Sequence, residues 1–336
     1  MPLTPPPFDP ELAPALPEIH AAMAPAVTPD MLPRLRAVMA AASPPLADLA
    51  GDGAFAVSTH AAPGPAGAPD VELLVVRPAQ PTGPLTVLYH LHGGGMVMGD
   101  NRFGVAGLLP WAAELGLVVV SAEYRLAPEH PYPAGIEDAY AGLTWVTEHA
   151  AELGAAPDRV LLAGASSGAG MTAALALLAR DRGAVHPLGQ LLMYPMLDDR
   201  NDRPSTTQMA GLGVWDRTAN DTGWTALLGA ARGTDAVPPY AAPSRATDLA
   251  GLPPAFLEVG TAETFRDEVV DYATRLAQAG GEVELHVWPG AFHAFDFWVP
   301  TARISQDAAA ARVRWLRRVL EDHTRSGMEH EPLHRA

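Results

Sequence analysis

From residue 71 onward the chain alternates short, almost wholly apolar runs with longer stretches of helix-forming residues, and few folds accommodate that pattern. The runs lie at 71–76, 85–91, 117–121, 159–163, 189–193, 255–259 and 283–287. The helix-like stretches lie at 105–115, 136–151, 168–182, 265–279 and 303–322. A run such as Leu117-Val118-Val119-Val120 has no polar face to offer water, so it suits a strand covered on both sides of a parallel sheet. Parallel neighbours need a crossover, and a helix supplies it. The expected fold is therefore α/β, doubly wound, with a mostly parallel central sheet flanked by helices. A length of 336 residues fits one large domain with insertions, and a hydrophobic content of 48% supplies its core.

Three regions fall outside the alternation. Segment 29–42 reads as an amphipathic helix with Asp30 near its start. Segment 51–70 is broken by Pro63, Pro65 and Pro69 and reads as loop or edge strand. Region 198–250, rich in Asp, Asn, Gly, Trp and Pro, reads as an insertion over the sheet edge. The polar end, 326–336, is expected to be a disordered tail.

Charge and composition exclude several function classes. The net charge of −16 disfavours a polyanionic partner, so no nucleic acid is expected. Without cysteine there is neither a disulfide framework nor a thiolate nucleophile. No apolar run approaches the ~20 residues that span a bilayer, so no stable membrane insertion is expected. The first residues, Met1-Pro2-Leu3-Thr4-Pro5-Pro6-Pro7, lack the basic and apolar regions of a signal peptide. A cytoplasmic, soluble protein is the expectation.

Chemistry concentrates at Gly164-Ala165-Ser166-Ser167-Gly168, a G-x-S-x-G frame. An apolar run precedes it and a helix-forming run follows. Strand, tight turn and helix make it a nucleophile elbow, with Ser166 projecting from the sheet's carboxyl edge. A serine hydroxyl is a poor nucleophile until a base takes its proton. Of the twelve histidines, His293 has the best setting, in Pro289-Gly290-Ala291-Phe292-His293 beyond the last strand. The acid that orients it should follow strand 255–259, where the chain reads Gly260-Thr261-Ala262-Glu263-Thr264-Phe265-Arg266-Asp267-Glu268. Glu263 comes first past the strand end. Asp267 is the alternative, although acids in a first helical turn commonly serve the helix dipole. His92-Gly93-Gly94-Gly95 follows strand 85–91, and its glycines let backbone N–H groups approach a developing oxyanion. Gly94, Gly95 and the N–H of Ser167 are the expected oxyanion hole, with His92 an anchor for the loop.

Taken together, His92-Gly93-Gly94-Gly95, the stretch Tyr124-Arg125-Leu126-Ala127-Pro128-Glu129-His130-Pro131-Tyr132-Pro133-Ala134, the elbow and Pro289-Gly290-x-x-His293 resemble the hormone-sensitive-lipase family of α/β-hydrolases, the bacterial group IV carboxylesterases. The similarity covers about residues 70–320. It implies the α/β-hydrolase fold with a helical cap built from an N-terminal segment and a later insertion. The corresponding division is 1–50 as N-terminal cap segment, 51–197 and 241–325 as catalytic domain, and 198–240 as cap insertion. It also implies a cofactor-free serine carboxylesterase acting on short- to medium-chain esters, with Ser166, Glu263 and His293 as the triad. Edge strands or C-terminal helices pair copies in this family, which makes a homodimer an expectation.

The chain departs from the family pattern at two places. Ala165 stands where the family usually has Asp or Thr, and Ser167 where it has Ala. The acid is generally Asp in an Asp-Pro-Leu-Arg-Asp-Glu context, which here reads Glu263-Thr264-Phe265-Arg266-Asp267-Glu268; alignment on Arg-Asp-Glu puts Glu263 in the acid's place. Stretch 124–134 is read as a brace for the loops. Asp198 and Asp199 are not read as a metal site, because no histidine or further carboxylate stands at ligand spacing. Met96, Met98, Leu212, Trp215 and Trp224 are candidate walls for a small ester substrate, and bulky walls suit acetyl to butyryl groups. Acyl transfer or amide hydrolysis on the same triad is an alternative, as is a non-catalytic small-ligand receptor on this fold.

Overall fold

Each apolar run forms a strand whose successive side chains serve opposite faces of one sheet. The computed structural model describes residues 3–81 and 83–329. Its strands are β1 (Phe55–Ala62), β2 (Val71–Pro78), β3 (Leu85–Leu91), β4 (Leu117–Ala122), β5 (Ala155–Ala165), β6 (Gly189–Met193), β7 (Ala255–Gly260) and β8 (Val283–Trp288). Its α-helices are α1 (Leu16–Ala22), α2 (Leu32–Ala42), α3 (Leu46–Leu49), α4 (Val105–Leu115), α5 (Ala134–Glu148), α6 (Ser167–Arg182), α7 (Pro204–Gln208), α8 (Arg217–Leu228), α9 (Arg266–Gln278), α10 (Phe295–Trp298) and α11 (Arg303–Glu329).

The strands form a single sheet in the order β1-β2-β4-β3-β5-β6-β7-β8. From β4 to β8 all neighbours are parallel, whereas β2 runs antiparallel to both β1 and β4. Leu73, Val75, Val87, Tyr89, Val118, Val120 and Leu162 pack toward the face covered by α5, α6 and α9. Their neighbours Leu74, Val76, Leu88, Val119 and Leu161 pack toward α4 and α11. The period of two in these assignments explains why the central runs had to be apolar throughout.

Segment 51–70 resolves into the edge strand β1, which ends where Pro63 begins. The region 198–240 contains α7 and α8, and the segment 1–50 contains α1 to α3. Leu12, Leu16 and Ile19 of that first segment pack with Val214, Ala291, Phe292 and Phe295. Helix α11 continues to Glu329, so the first four residues of the expected disordered tail are helical; the rest, from 330, lies outside the described residues. Among the described residues no helix is long and apolar enough to cross a membrane.

Candidate active site

The site begins at the corner between β5 and α6. Ser166 occupies that corner with φ 58° and ψ −124°, a conformation that costs a non-glycine residue about 1–3 kcal/mol. Its surroundings hold it there. The Ser166 N–H donates to the Met193 carbonyl at 2.9 Å, and its own carbonyl accepts from Gly170 and Met196 at 3.0 and 3.1 Å. The flanking glycines are required by close approach. A Cβ on Gly164 would stand 2.5 Å from the Gly168 backbone, and one on Gly168 would stand 2.1 Å from the Leu91 carbonyl oxygen. Beyond the corner, every residue of α6 from Ser167 to Ala179 is buried, so the helix is anchored along three turns.

Ser166, His293 and Glu263 meet in one hydrogen-bonded chain although they are far apart in sequence. His293 Nδ1 lies 2.7 Å from Glu263 Oε1, and His293 Nε2 lies 2.8 Å from Ser166 Oγ. A carboxylate can only accept, so Nδ1–H donates to Glu263, which leaves Nε2 free to accept the Ser166 hydroxyl proton. Glu263 is 1% exposed, so little water competes for its bond to the imidazole. The rings of Tyr194 and Phe265 stand edge-on to His293 at 5.1 and 5.2 Å. The loop before His293 is fixed by Gly290, whose N–H donates to Thr261 Oγ1 at 2.7 Å and whose carbonyl accepts from the Asp9 N–H at 2.9 Å. Asp267 faces elsewhere. Its carboxylate accepts from the Ser205 N–H and from Arg266 Nε, both at 2.8 Å.

The glycine loop after β3 folds back on itself. The Gly94 carbonyl accepts from the N–H groups of Val97 and Met98, both at 3.1 Å. Gly94 and Gly95 both have positive φ, at 123° and 65°. A Cβ on Gly94 would lie 2.1 Å from the Met98 carbonyl oxygen, and one on Gly95 would lie 2.5 Å from the Trp215 ring. His92 is fully buried, and burial lowers its pKa to about 4, so it is neutral near pH 7. Its Nδ1 lies 2.8 Å from the Gly93 carbonyl, the geometry of a loop anchor. Tyr124 stacks on His92 and donates its hydroxyl proton to the His92 carbonyl at 2.7 Å. In the stretch that follows, Arg125 makes three hydrogen bonds to the buried carboxylate of Asp138.

The candidate wall residues divide. Met96 and Met98 are buried in the glycine loop, with Met96 at φ 63°. Trp215 lies against Gly95, and its carbonyl accepts from Thr264 Oγ1 at 2.6 Å, beside Glu263. Trp215 thus ties the loop of Glu263 to the glycine loop. Leu212 is half-buried in the turn before it. Trp224 is fully buried on α8, whose Gly223 abuts the Gly95 carbonyl. Asp198 and Asp199 are engaged by arginines, Asp198 by Arg200 and Arg203 and Asp199 by Arg245. Thr264, Tyr194 and Asp9 carry no signal in the sequence for a place in the site, because their contacts are with partners distant along the chain.

Known proteins share this arrangement of chain. A family model described as the alpha/beta hydrolase fold matches residues 88–297. The chain is 38% identical over 261 residues to carboxylesterase NlhH of Mycobacterium tuberculosis, covering 76% of this chain and 80% of that protein. It is 37% identical over 119 residues to hormone-sensitive lipase of Homo sapiens, covering 35% of this chain and 11% of that protein. Among solved structures, bacterial heroin esterase superposes with a TM-score of 0.85 at 40% identity, covering 93% of this chain and 98% of that one.

Proposed function

The chain belongs to the hormone-sensitive-lipase family of α/β-hydrolases and is a carboxylic-ester hydrolase, and from that premise we propose that it cleaves short- to medium-chain esters through an acyl-enzyme on Ser166. The observation that carries this reading is the unbroken chain from Ser166 Oγ through His293 to Glu263. Ser166 Oγ attacks the ester carbonyl while His293 Nε2 takes its proton. Glu263 keeps the imidazole in the required tautomer and stabilises the imidazolium that forms. The N–H groups of Gly94, Gly95 and Ser167 receive the oxyanion, a contribution of several kcal/mol in a dry site. His293 then protonates the departing alkoxide oxygen. Water, deprotonated by the same imidazole, releases the carboxylic acid and restores Ser166.

In this reading segments 1–50 and 198–240 form a cap over the catalytic domain, 51–197 and 241–325. Met96, Met98, Leu212, Trp215 and Trp224 then bound the substrate. The Trp215 ring, seated on Gly95 beside the glycine loop, restricts the space next to the reacting carbonyl, which favours small acyl groups. A p-nitrophenyl ester series from acetyl to dodecanoyl tests the proposal. Turnover should be greatest for the short esters and fall along the series. A rate that rises toward the long esters would overturn the acyl-size assignment.

A further inference from the structure

We propose that Arg36, on helix α2 of the N-terminal segment, is a positioning residue for the oxyanion hole. The inference rests on the reading of Gly94 and Gly95 as oxyanion donors. A hole made of backbone N–H groups works only if the peptide planes that carry them are held still. Each plane is rigid, so fixing the carbonyls of a short loop fixes its N–H directions as well.

In the loop after β3 the carbonyls of Gly93, Gly94, Met96 and Val97 are pinned. Gly93 O lies 2.8 Å from His92 Nδ1, and Gly94 O accepts within the loop. Met96 O accepts from the Ala127 N–H at 3.0 Å. The Val97 carbonyl is held by a side chain from 61 positions earlier, because Arg36 Nε donates to it at 2.7 Å. The same guanidinium reaches the loop's neighbour. Arg36 Nη2 donates to the Ala127 carbonyl at 2.8 Å, and Glu129 takes a bidentate pair from Nη1 and Nη2 at 2.8 and 2.7 Å. Ala127 is therefore gripped at its carbonyl by Arg36 and at its N–H by Met96. One side chain closes a ring of contacts through Val97, Met96 and Ala127.

The geometry requires arginine. A planar fork with five N–H donors can serve two carbonyls and a carboxylate at once, whereas an ammonium is a single point that cannot reach both carbonyls in that plane. Glu129 supplies the counter-charge from the exposed side of the fork. The sequence already contained both parts, helix 29–42 and the bracing stretch 124–134, and the structure joins them at the Val97 carbonyl. Docking of the N-terminal segment is thereby coupled to the geometry of the hole.

The test uses the full chain with Arg36→Met, Arg36→Lys and Glu129→Gln. Four quantities are measured: kcat and KM for p-nitrophenyl acetate, inhibition by a trifluoromethyl ketone, and inhibition by the product acetate. The ketone mimics the transition state: Ser166 Oγ adds to its carbonyl carbon, the hydroxyl proton passes to His293, and the carbonyl oxygen becomes the oxyanion. Arg36→Met should lower kcat about tenfold to a hundredfold with KM within about twofold, and weaken the ketone by the same factor. Acetate inhibition should not move, which separates a defect in the hole from a general loosening of the site. Arg36→Lys should recover only part of the loss. Glu129→Gln, which keeps both carbonyl bonds, should stay within about threefold of wild type. Wild-type ketone affinity in folded Arg36→Met overturns the inference; if that variant does not fold, wild-type affinity in Arg36→Lys does so. A wild-type enzyme that binds the trifluoromethyl ketone no more tightly than acetate overturns the oxyanion reading itself.

Discussion

Replacing Glu263 by Gln keeps the shape of the side chain and removes its charge, which isolates what the carboxylate does for His293. Glu263 is 1% exposed and lies 2.7 Å from His293 Nδ1. In the transition state the imidazole becomes a cation. A unit charge pair about 4 Å apart, centre to centre, is worth about 4 kcal/mol at an effective dielectric of about 20. Losing that stabilisation lowers kcat/KM about a thousandfold. A glutamine can also present its NH2 to the ring, which favours the tautomer with the proton on Nε2 and adds to the loss. Glu263→Asp, one methylene shorter, should cost less, about tenfold to a hundredfold, because the charge remains. Asp267→Asn is the matched comparison, since Asp267 is engaged by Ser205 and Arg266; it should stay within about threefold. The assay is kcat/KM for p-nitrophenyl acetate, with circular dichroism to establish folding. If Glu263→Gln stays within about tenfold while Asp267→Asn loses about a thousandfold, the acid has been assigned to the wrong residue.

Three further outcomes follow from single contacts. Gly94→Ala places a Cβ 2.1 Å from the Met98 carbonyl oxygen, and the displaced loop should lower kcat about a hundredfold or more in steady-state assays. Trp215→Ala vacates the space beside Gly95, so the p-nitrophenyl optimum should move to longer acyl chains while thermal melts record a loss of about 3–5 kcal/mol; an unchanged optimum would remove Trp215 from the pocket wall. Glu268 is fully buried, and burial, aided by the charge of Asp198, raises its carboxyl well above the usual carboxylate range. As pH rises past the unfolded value of about 4.3, the unfolded chain ionises there and the folded chain does not, so this group erodes stability until its folded pKa is passed. Glu268→Gln removes that erosion, and its melting temperature should gain on wild type as pH rises above about 5, past the unfolded carboxyl value. A constant difference would contradict the sign.

The parallel half of the sheet was legible because burial on both faces leaves no room for polar residues, and helix 105–115 appears with those bounds as α4. Strand β1 was harder to read. It lies at the sheet edge, and its exposed residues Ala56, Ser58 and Thr59 are what a loop would also carry. The juxtaposition of Ser166 and His293 was legible from local context, the one at a strand-to-helix corner and the other in a loop past the last strand. The choice of Glu263 over Asp267 from sequence rests on distance past the strand end and on alignment of Arg266-Asp267-Glu268 with the family pattern. The structure adds what sequence could not contain, the Asp267 bond to Ser205, 62 positions away. Arg36 was invisible for the same reason. An arginine on an amphipathic helix reads as a solvated charge until the fold brings Val97 and Ala127 to it.

Passage of the acyl group through Ser166 can be followed by trapping it. Wild type and Ser166→Ala are mixed with a short p-nitrophenyl ester, quenched in acid during turnover and measured by intact mass and peptide mapping. Wild type should carry one added acyl group, mapped to the peptide containing Ser166, and folded Ser166→Ala should show neither adduct nor turnover. Hydrolysis at the wild-type rate by that variant, or an acyl group mapped to another residue, would contradict passage through Ser166.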